Sequence, residues 1–128
     1  MQEEDKPKTI LVVDDEEEML DHLVHTLKRT KCRVVATTKG REAVKLAKAE
    51  KPDLIILDVV MPDMDGGQIA GILAENPETA HIPVIFLTGI LTKEEGFSRG
   101  TSGKRFVIPK PVDSTELLKK ISMVLPIN

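Results

Sequence analysis

Leu54-Ile55-Ile56-Leu57-Asp58 is a run of four large apolar residues closed by an acid. With Pro52-Asp53 before it and Pro62 after it, the run reads as a strand buried on both faces, the kind found in parallel sheets. The form recurs along the chain. Ile10-Leu11-Val12-Val13 ends in Asp14-Asp15, Val84-Ile85-Phe86-Leu87 ends in Thr88-Gly89, and Phe106-Val107-Ile108 leads through Pro109 to Lys110. A fifth and shorter strand is expected at Arg33-Val34-Val35-Ala36-Thr37. Ligands of an open parallel sheet collect outside the carboxyl ends of its strands. Here those ends supply three acids, a hydroxyl and a lysine, a set suited to a metal ion and a phosphate.

Helical periods separate the strands. Met19, Leu20, Leu23, Val24 and Leu27 predict an amphipathic helix from Glu16 to Arg29, opened by the acids of Asp14 to Glu18, which suit the positive end of the helix dipole. A second helix follows Gly40 with Ala43, Val44, Leu46 and Ala47 on its apolar side. Gly66-Gly67 is read as loop, with a third helix over Gln68 to Glu75 that Asn76-Pro77 ends. Asp113 and Glu116 resemble a capping box before a last helix whose apolar face is Leu117, Leu118, Ile121 and Val124. Between Thr88 and Phe106 the glycines Gly96, Gly100 and Gly103 predict a short or poorly ordered helix. Strands alternating with helices call for an α/β fold, a doubly wound five-stranded parallel sheet of flavodoxin-like order 2-1-3-4-5, with helices on both faces. The switch point then falls between the first and third strands, with the acids on either side of it.

The 128 residues suffice for one domain. A formal net charge of −3 gives no general attraction to nucleic acid or an anionic membrane, so no direct nucleic-acid or membrane partner is expected. The single cysteine, Cys32, cannot form an internal disulfide, and the first seven residues lack the apolar centre of a signal peptide; the expected compartment is the cytoplasm.

The acidic pair Asp14-Asp15, the stretch Asp58-Val59-Val60-Met61-Pro62-Asp63-Met64-Asp65-Gly66, the pair Thr88-Gly89 and Lys110-Pro111 occur in the order and at the intervals of a known family. Over residues 8 to 125 the chain resembles a receiver domain of the bacterial two-component response regulators, of the chemotaxis-receiver kind. The resemblance implies a receiver domain over residues 8 to 128 after a flexible tail of residues 1 to 7. It implies that Asp58 is the phosphoacceptor, attacking the phosphohistidine of a histidine kinase or histidine phosphotransfer protein, and that the phosphorylated domain acts on a downstream effector domain or protein. Such a domain catalyses its own phosphotransfer and its own dephosphorylation without being a conventional enzyme. Repulsion between the carboxylate and the phosphoryl group calls for a hard cation with oxygen ligands, and Mg²⁺ fits. By the same resemblance Asp15 and Asp58 bind it directly, Asp14 through water, and Val60 by its backbone carbonyl. Lys110 and the Thr88 hydroxyl meet phosphoryl oxygens, and a cis Lys110–Pro111 bond aims the lysine inward.

Each residue also has a plainer reading. An isolated Asp-Asp pair is better taken as a helix cap, and Thr88 and Lys110 as turn residues. The convergence of all of them on one sheet edge favours the site. His22 and His25 fall on the polar side of the first helix and form no metal site. Two other functions use the same residues: a Mg²⁺-dependent phosphohydrolase with Asp58 as nucleophile, and a receiver-like binding module that takes no phosphate. A substrate cap is not visible for the first, and the intact acids, Thr88 and Lys110 argue against the second. Two further expectations concern tuning. Val107 stands where the family usually has an aromatic residue, and Phe106, one place earlier, should face the other way. In the family the positions of Val60 and Ile90 border the path of an attacking water, and the resemblance then implies that these apolar side chains slow loss of the phosphoryl group.

Overall fold

The computed structural model describes residues 7–59, 61, 65–89 and 105–125. Residues 1–6 of the expected tail, the carbonyl of Val60, the side chain of Ile90 and the glycine-rich stretch at 92–104 lie outside the described residues. Five strands, β1 (Thr9–Val13), β2 (Arg33–Thr37), β3 (Leu54–Asp58), β4 (Val84–Thr88) and β5 (Arg105–Pro109), alternate with helices α1 (Glu17–Leu27), α2 (Ala43–Glu50), α3 (Gly66–Glu75) and α4 (Ser114–Val124). The sheet order is β2-β1-β3-β4-β5 and every pairing is parallel, as expected.

The strands sort their side chains by parity, because successive residues of a strand point to opposite faces. Ile10, Val12, Leu54, Ile56, Ile85, Leu87 and Ile108 pack with Leu20, Leu23 and Leu27 of α1 and with Leu117 and Ile121 of α4. Leu11, Val13, Ile55, Leu57, Val84 and Phe86 pack with Ala43 and Ala47 of α2 and Ile69, Ala70 and Leu73 of α3. Both faces of β1, β3 and β4 are thus covered, which explains their unbroken apolar runs. Each fully buried Leu, Ile or Phe contributes about 1.5–3 kcal/mol, so the two layers together hold the sheet rigid beneath its carboxyl edge. β2 is an edge strand, largely half-exposed, and its Arg33 pairs with Glu50 at 2.6 Å. A charge at such an edge discourages further strand pairing.

The helix ends refine the expected boundaries. α1 closes in a 3-10 turn, Lys28–Thr30, and α2 is entered through another, Gly40–Glu42. α2 stops where Lys51 turns left-handed at φ 48°, directly before Pro52. The reading of Gly66-Gly67 as loop is corrected: both belong to α3. Asp65 starts that helix two residues early, accepting a hydrogen bond from the Gln68 N–H at 2.8 Å while the Gln68 side chain accepts from the Asp65 N–H at 3.4 Å. A capping box satisfies the free N–H groups of a first turn, and this outweighs the weak helix propensity of two glycines. At α4, Asp113 accepts from the N–H groups of Thr115 and Glu116.

Candidate functional site

The register of the central strands brings the acids together. Val13 lies opposite Leu57, so Asp14 and Asp58 occupy the next, adjacent positions at the carboxyl edge. Asp14 is fully buried and Asp58 nearly so. The Asp14 N–H donates to the Thr37 carbonyl at 3.3 Å, which continues the β1–β2 ladder one step beyond the strand. Asp14, Asp15 and Asp58 each offer a carboxylate oxygen within 4.8 Å of the others. Lys110 arrives from the opposite side. Its N–H donates to the Thr88 carbonyl at 2.7 Å, its peptide bond to Pro111 is cis, and its ammonium reaches back across the end of β4. Nζ lies 3.2 Å from Asp14 Oδ2 and 3.3 Å from Asp58 Oδ2.

Burial sets the electrostatics. It pushes the Asp14 carboxyl above the usual carboxylate range; the Glu16 N–H, bound to Oδ1 at 2.9 Å, and the Lys110 charge only partly oppose it. For Lys110, burial disfavours the ammonium, but Asp14 and then Asp58 outweigh it and the pKa rises above its ordinary value. Lys110 thus acts as the resident countercharge of the cluster. It does not satisfy the cluster's geometry, however. Asp14 Oδ2 is buried and faces Lys110 as an ion pair, yet no hydrogen bond is directed at it among the described residues. A buried carboxylate oxygen held by an ion pair alone is costly, and a hydrated cation bound beside it would offer it a water as donor. Oxygen-only donors suit Mg²⁺, Ca²⁺ or Mn²⁺ rather than softer metals. With carboxylate oxygens within 4.8 Å of one another, Asp15 and Asp58 could hold one such ion directly and Asp14 through a water. The residues fit the group.

The remaining expected residues fall as follows. Thr88 is the buried last residue of β4, one step beyond the Asp58–Leu87 register pair. Phe106 packs on the α1/α4 side and lies under Lys120, 5.6 Å from its Nζ to the ring centroid. Val107 is on the opposite side with Phe86. The strand carries no bulge in its register from Arg105 to Pro109, so Phe106 does not take the place of an aromatic beside Thr88.

Two contributors had not been singled out in the sequence as part of the site. Glu16 Oε1 lies 3.2 Å from the Lys110 ammonium; its only sequence signal is its place directly after the acidic pair. Gly66 is the other. A Cβ at Gly66 would come within 2.6 Å of the Asp58 carbonyl oxygen and 2.8 Å of Val59 Cα, and the Gly66 N–H donates to the Val59 carbonyl at 2.7 Å. The start of α3 therefore rests on the backbone that carries Asp58, and both atoms a methyl would strike are main chain. Gly66→Ala is expected to destabilise the fold by about 2 kcal/mol, as overpacking typically does, seen as a lower denaturation midpoint. Wild-type stability in that variant would show that the contact relaxes freely.

Comparison with known proteins agrees with the geometry. The response regulator receiver domain family matches residues 10–122. Protein PilH of Pseudomonas aeruginosa is 37% identical over 119 residues, 91% of this chain and 96% of that protein. The alkaline phosphatase synthesis transcriptional regulatory protein PhoP of Bacillus subtilis is 35% identical over 92% of this chain but only 48% of its own length. Among solved structures, the chemotaxis response regulator CheY4 of Vibrio cholerae superimposes with a TM-score of 0.82 at 30% identity, covering 94% of this chain and 100% of that one. The fold, the order of the strand-end residues and these relatives agree, and the chain belongs to the response regulator receiver domain family of two-component signalling.

Proposed function

We propose that the domain, spanning residues 8 to 128, is a phosphorylation-operated switch whose phosphoacceptor is Asp58. One observation carries this most strongly: among the described residues, the Lys110 ammonium lies between Asp14 Oδ2 and Asp58 Oδ2 at the mouth of a buried, acid-bearing edge. A site built only to cap a helix has no use for a lysine drawn from two strands away. In the proposed step an Asp58 oxygen attacks the phosphorus of a phosphohistidine on a histidine kinase or histidine phosphotransfer protein. The O–P bond forms, the N–P bond breaks, and its electron pair returns to the donor imidazole. Lys110 turns its N–H donors to one phosphoryl oxygen and the Thr88 hydroxyl donates to another. Asp14, Asp15 and Asp58, with the Val60 carbonyl, would hold Mg²⁺, which when bound neutralises charge between the carboxylate and the phosphoryl group. The output would pass to an effector domain or protein. PhoP is a transcriptional regulatory protein, and Histidine kinase P4 of Formosa agariphila is 34% identical over 95% of this chain and 9% of its own length, in keeping with a module placed at different points of a relay.

Incubation with Mg²⁺ and acetyl phosphate, followed by intact-mass measurement, tests this. A stable single-phosphoryl adduct is expected. Steady release of phosphate from small esters without an adduct would favour a hydrolase, and no reaction at all a module that takes no phosphate. The metal assignment has its own test. Asp14→Ala is expected to weaken Mg²⁺ binding roughly ten-fold, as loss of an outer ligand does, and Asp15→Ala more, because Asp15 is proposed as a direct ligand. The chain has no Trp or Tyr, so calorimetry rather than intrinsic fluorescence should rank the two; the reverse order would refute the assignment. No described helix is long and apolar enough to cross a membrane.

A further inference from the structure

Glu16 occupies the N-cap position of α1 with extended backbone, φ −88° and ψ 111°, and its side chain makes no cap hydrogen bond. Ser, Thr, Asp and Asn are favoured there because their short side chains reach the free N–H groups of the first turn. A glutamate at this place is a poor local choice. Its backbone is nonetheless held on both sides: the N–H donates to Asp14 Oδ1 at 2.9 Å and the carbonyl accepts from the Leu20 N–H at 2.9 Å. The carboxylate leaves the helix end and reaches across the site, placing Oε1 3.2 Å from Lys110 Nζ. A residue that breaks a local rule next to a functional cluster commonly serves the cluster.

The Lys110 ammonium has three N–H groups, and three carboxylates surround it: Asp14 at 3.2 Å, Asp58 at 3.3 Å and Glu16 at 3.2 Å. The first two are buried, whereas the Glu16 side chain is 64% exposed and closes the group from the solvent side. The three are not equivalent during the proposed reaction. Asp58, and Asp14 through water, would loosen their hold on Lys110 when they share a cation, and Asp58 once phosphorylated would give the lysine a new anionic partner. Glu16 is outside the proposed ligand set, so its hold persists until Lys110 turns.

We propose that Glu16 is a positioning residue that tethers Lys110 in the unphosphorylated state and competes with the phosphoryl group for it. This rests on the reading of Asp58 as phosphoacceptor. Exposed ion pairs are weak, so the tether sets a threshold and does not block the reaction. Removing the charge by Glu16→Gln should tighten binding of beryllofluoride, a phosphoryl mimic, in the presence of Mg²⁺ by about two- to five-fold at low salt, measured by calorimetry on the whole chain. The rate of adduct formation from acetyl phosphate should rise by a similar factor. Both gains should shrink as salt screens the exposed carboxylate. A purely structural role is separated by Glu16→Ser, which restores a good cap. That variant should melt higher than wild type while Glu16→Gln should not, yet both should bind beryllofluoride more tightly. Unchanged or weaker binding in Glu16→Gln, or a gain found only in the variant that melts higher, would overturn the tether. If the wild type itself binds no beryllofluoride, the phosphoacceptor reading fails and the tether falls with it, a distinct result from a wild type that binds and a variant that does not differ.

Discussion

Asp58→Asn is expected to leave no phosphoryl adduct after treatment with Mg²⁺ and acetyl phosphate, while the fold survives. The carboxylate oxygen is the proposed nucleophile, and an amide has no comparable anionic lone pair to offer phosphorus. The loss should therefore be complete, not partial. The substitution keeps the shape of a side chain that is almost fully buried. It also removes one of the anions crowded at the end of β3 and β1, so the midpoint of thermal unfolding should be equal to or above that of wild type. Intact mass and a melting curve on the same sample check both halves. An adduct of undiminished yield on some other residue would show that Asp58 is not the acceptor, and a collapsed melt would show that its role is structural.

Lys110→Met is expected to lower stability in the absence of divalent cations by about 3 kcal/mol, a fall of roughly ten degrees in melting temperature for a domain of this size. Methionine retains most of the length and apolar stem, so the change isolates the charge. Removing one partner of a buried ion pair leaves the others uncompensated, and here Asp14 and Asp58 lose their countercharge together. The estimate sits at the low end of the usual range because Asp14, already raised by burial, can relieve the strain by taking up a proton. Two linkages follow. Mg²⁺ should raise the melting temperature of the variant more than that of wild type, since the ion replaces the missing charge. The pH dependence has a definite sign. A carboxyl raised above 3.8 in the fold opposes folding when ionised, and that penalty is relieved as the pH falls through its folded value. The deficit of the variant should therefore be largest near neutral pH and shrink on acidification. Lys110 itself is raised above 10.5, so its contribution is present below that value and lost as the pH rises through its folded pKa. A variant as stable as wild type at pH 7 would show that the lysine is not the countercharge of the cluster.

The apolar runs were sufficient to define β1, β3 and β4, because strands covered on both faces must be apolar throughout and only an α/β arrangement covers them so. The gathering of Asp14, Asp15, Asp58, Thr88 and Lys110 at one edge was equally legible, since each follows or closes a strand and parallel strands end on the same side. Parity alone also separated Phe106 from Val107, and the register upheld it. The start of α3 was not legible: Gly66 and Gly67 read as a loop until the Asp65–Gln68 box and the contact of Gly66 with the Asp58 carbonyl were seen. A glycine required by close approach looks the same in sequence as one required by a turn. Nor could the chain alone show that Glu16, an ordinary acid at the head of a helix, pairs with a lysine 94 positions away. Local pattern specifies which face of an element is buried, because that depends only on period. Which charges meet across the edge depends on strand order and register, and those exist only once the sheet has formed.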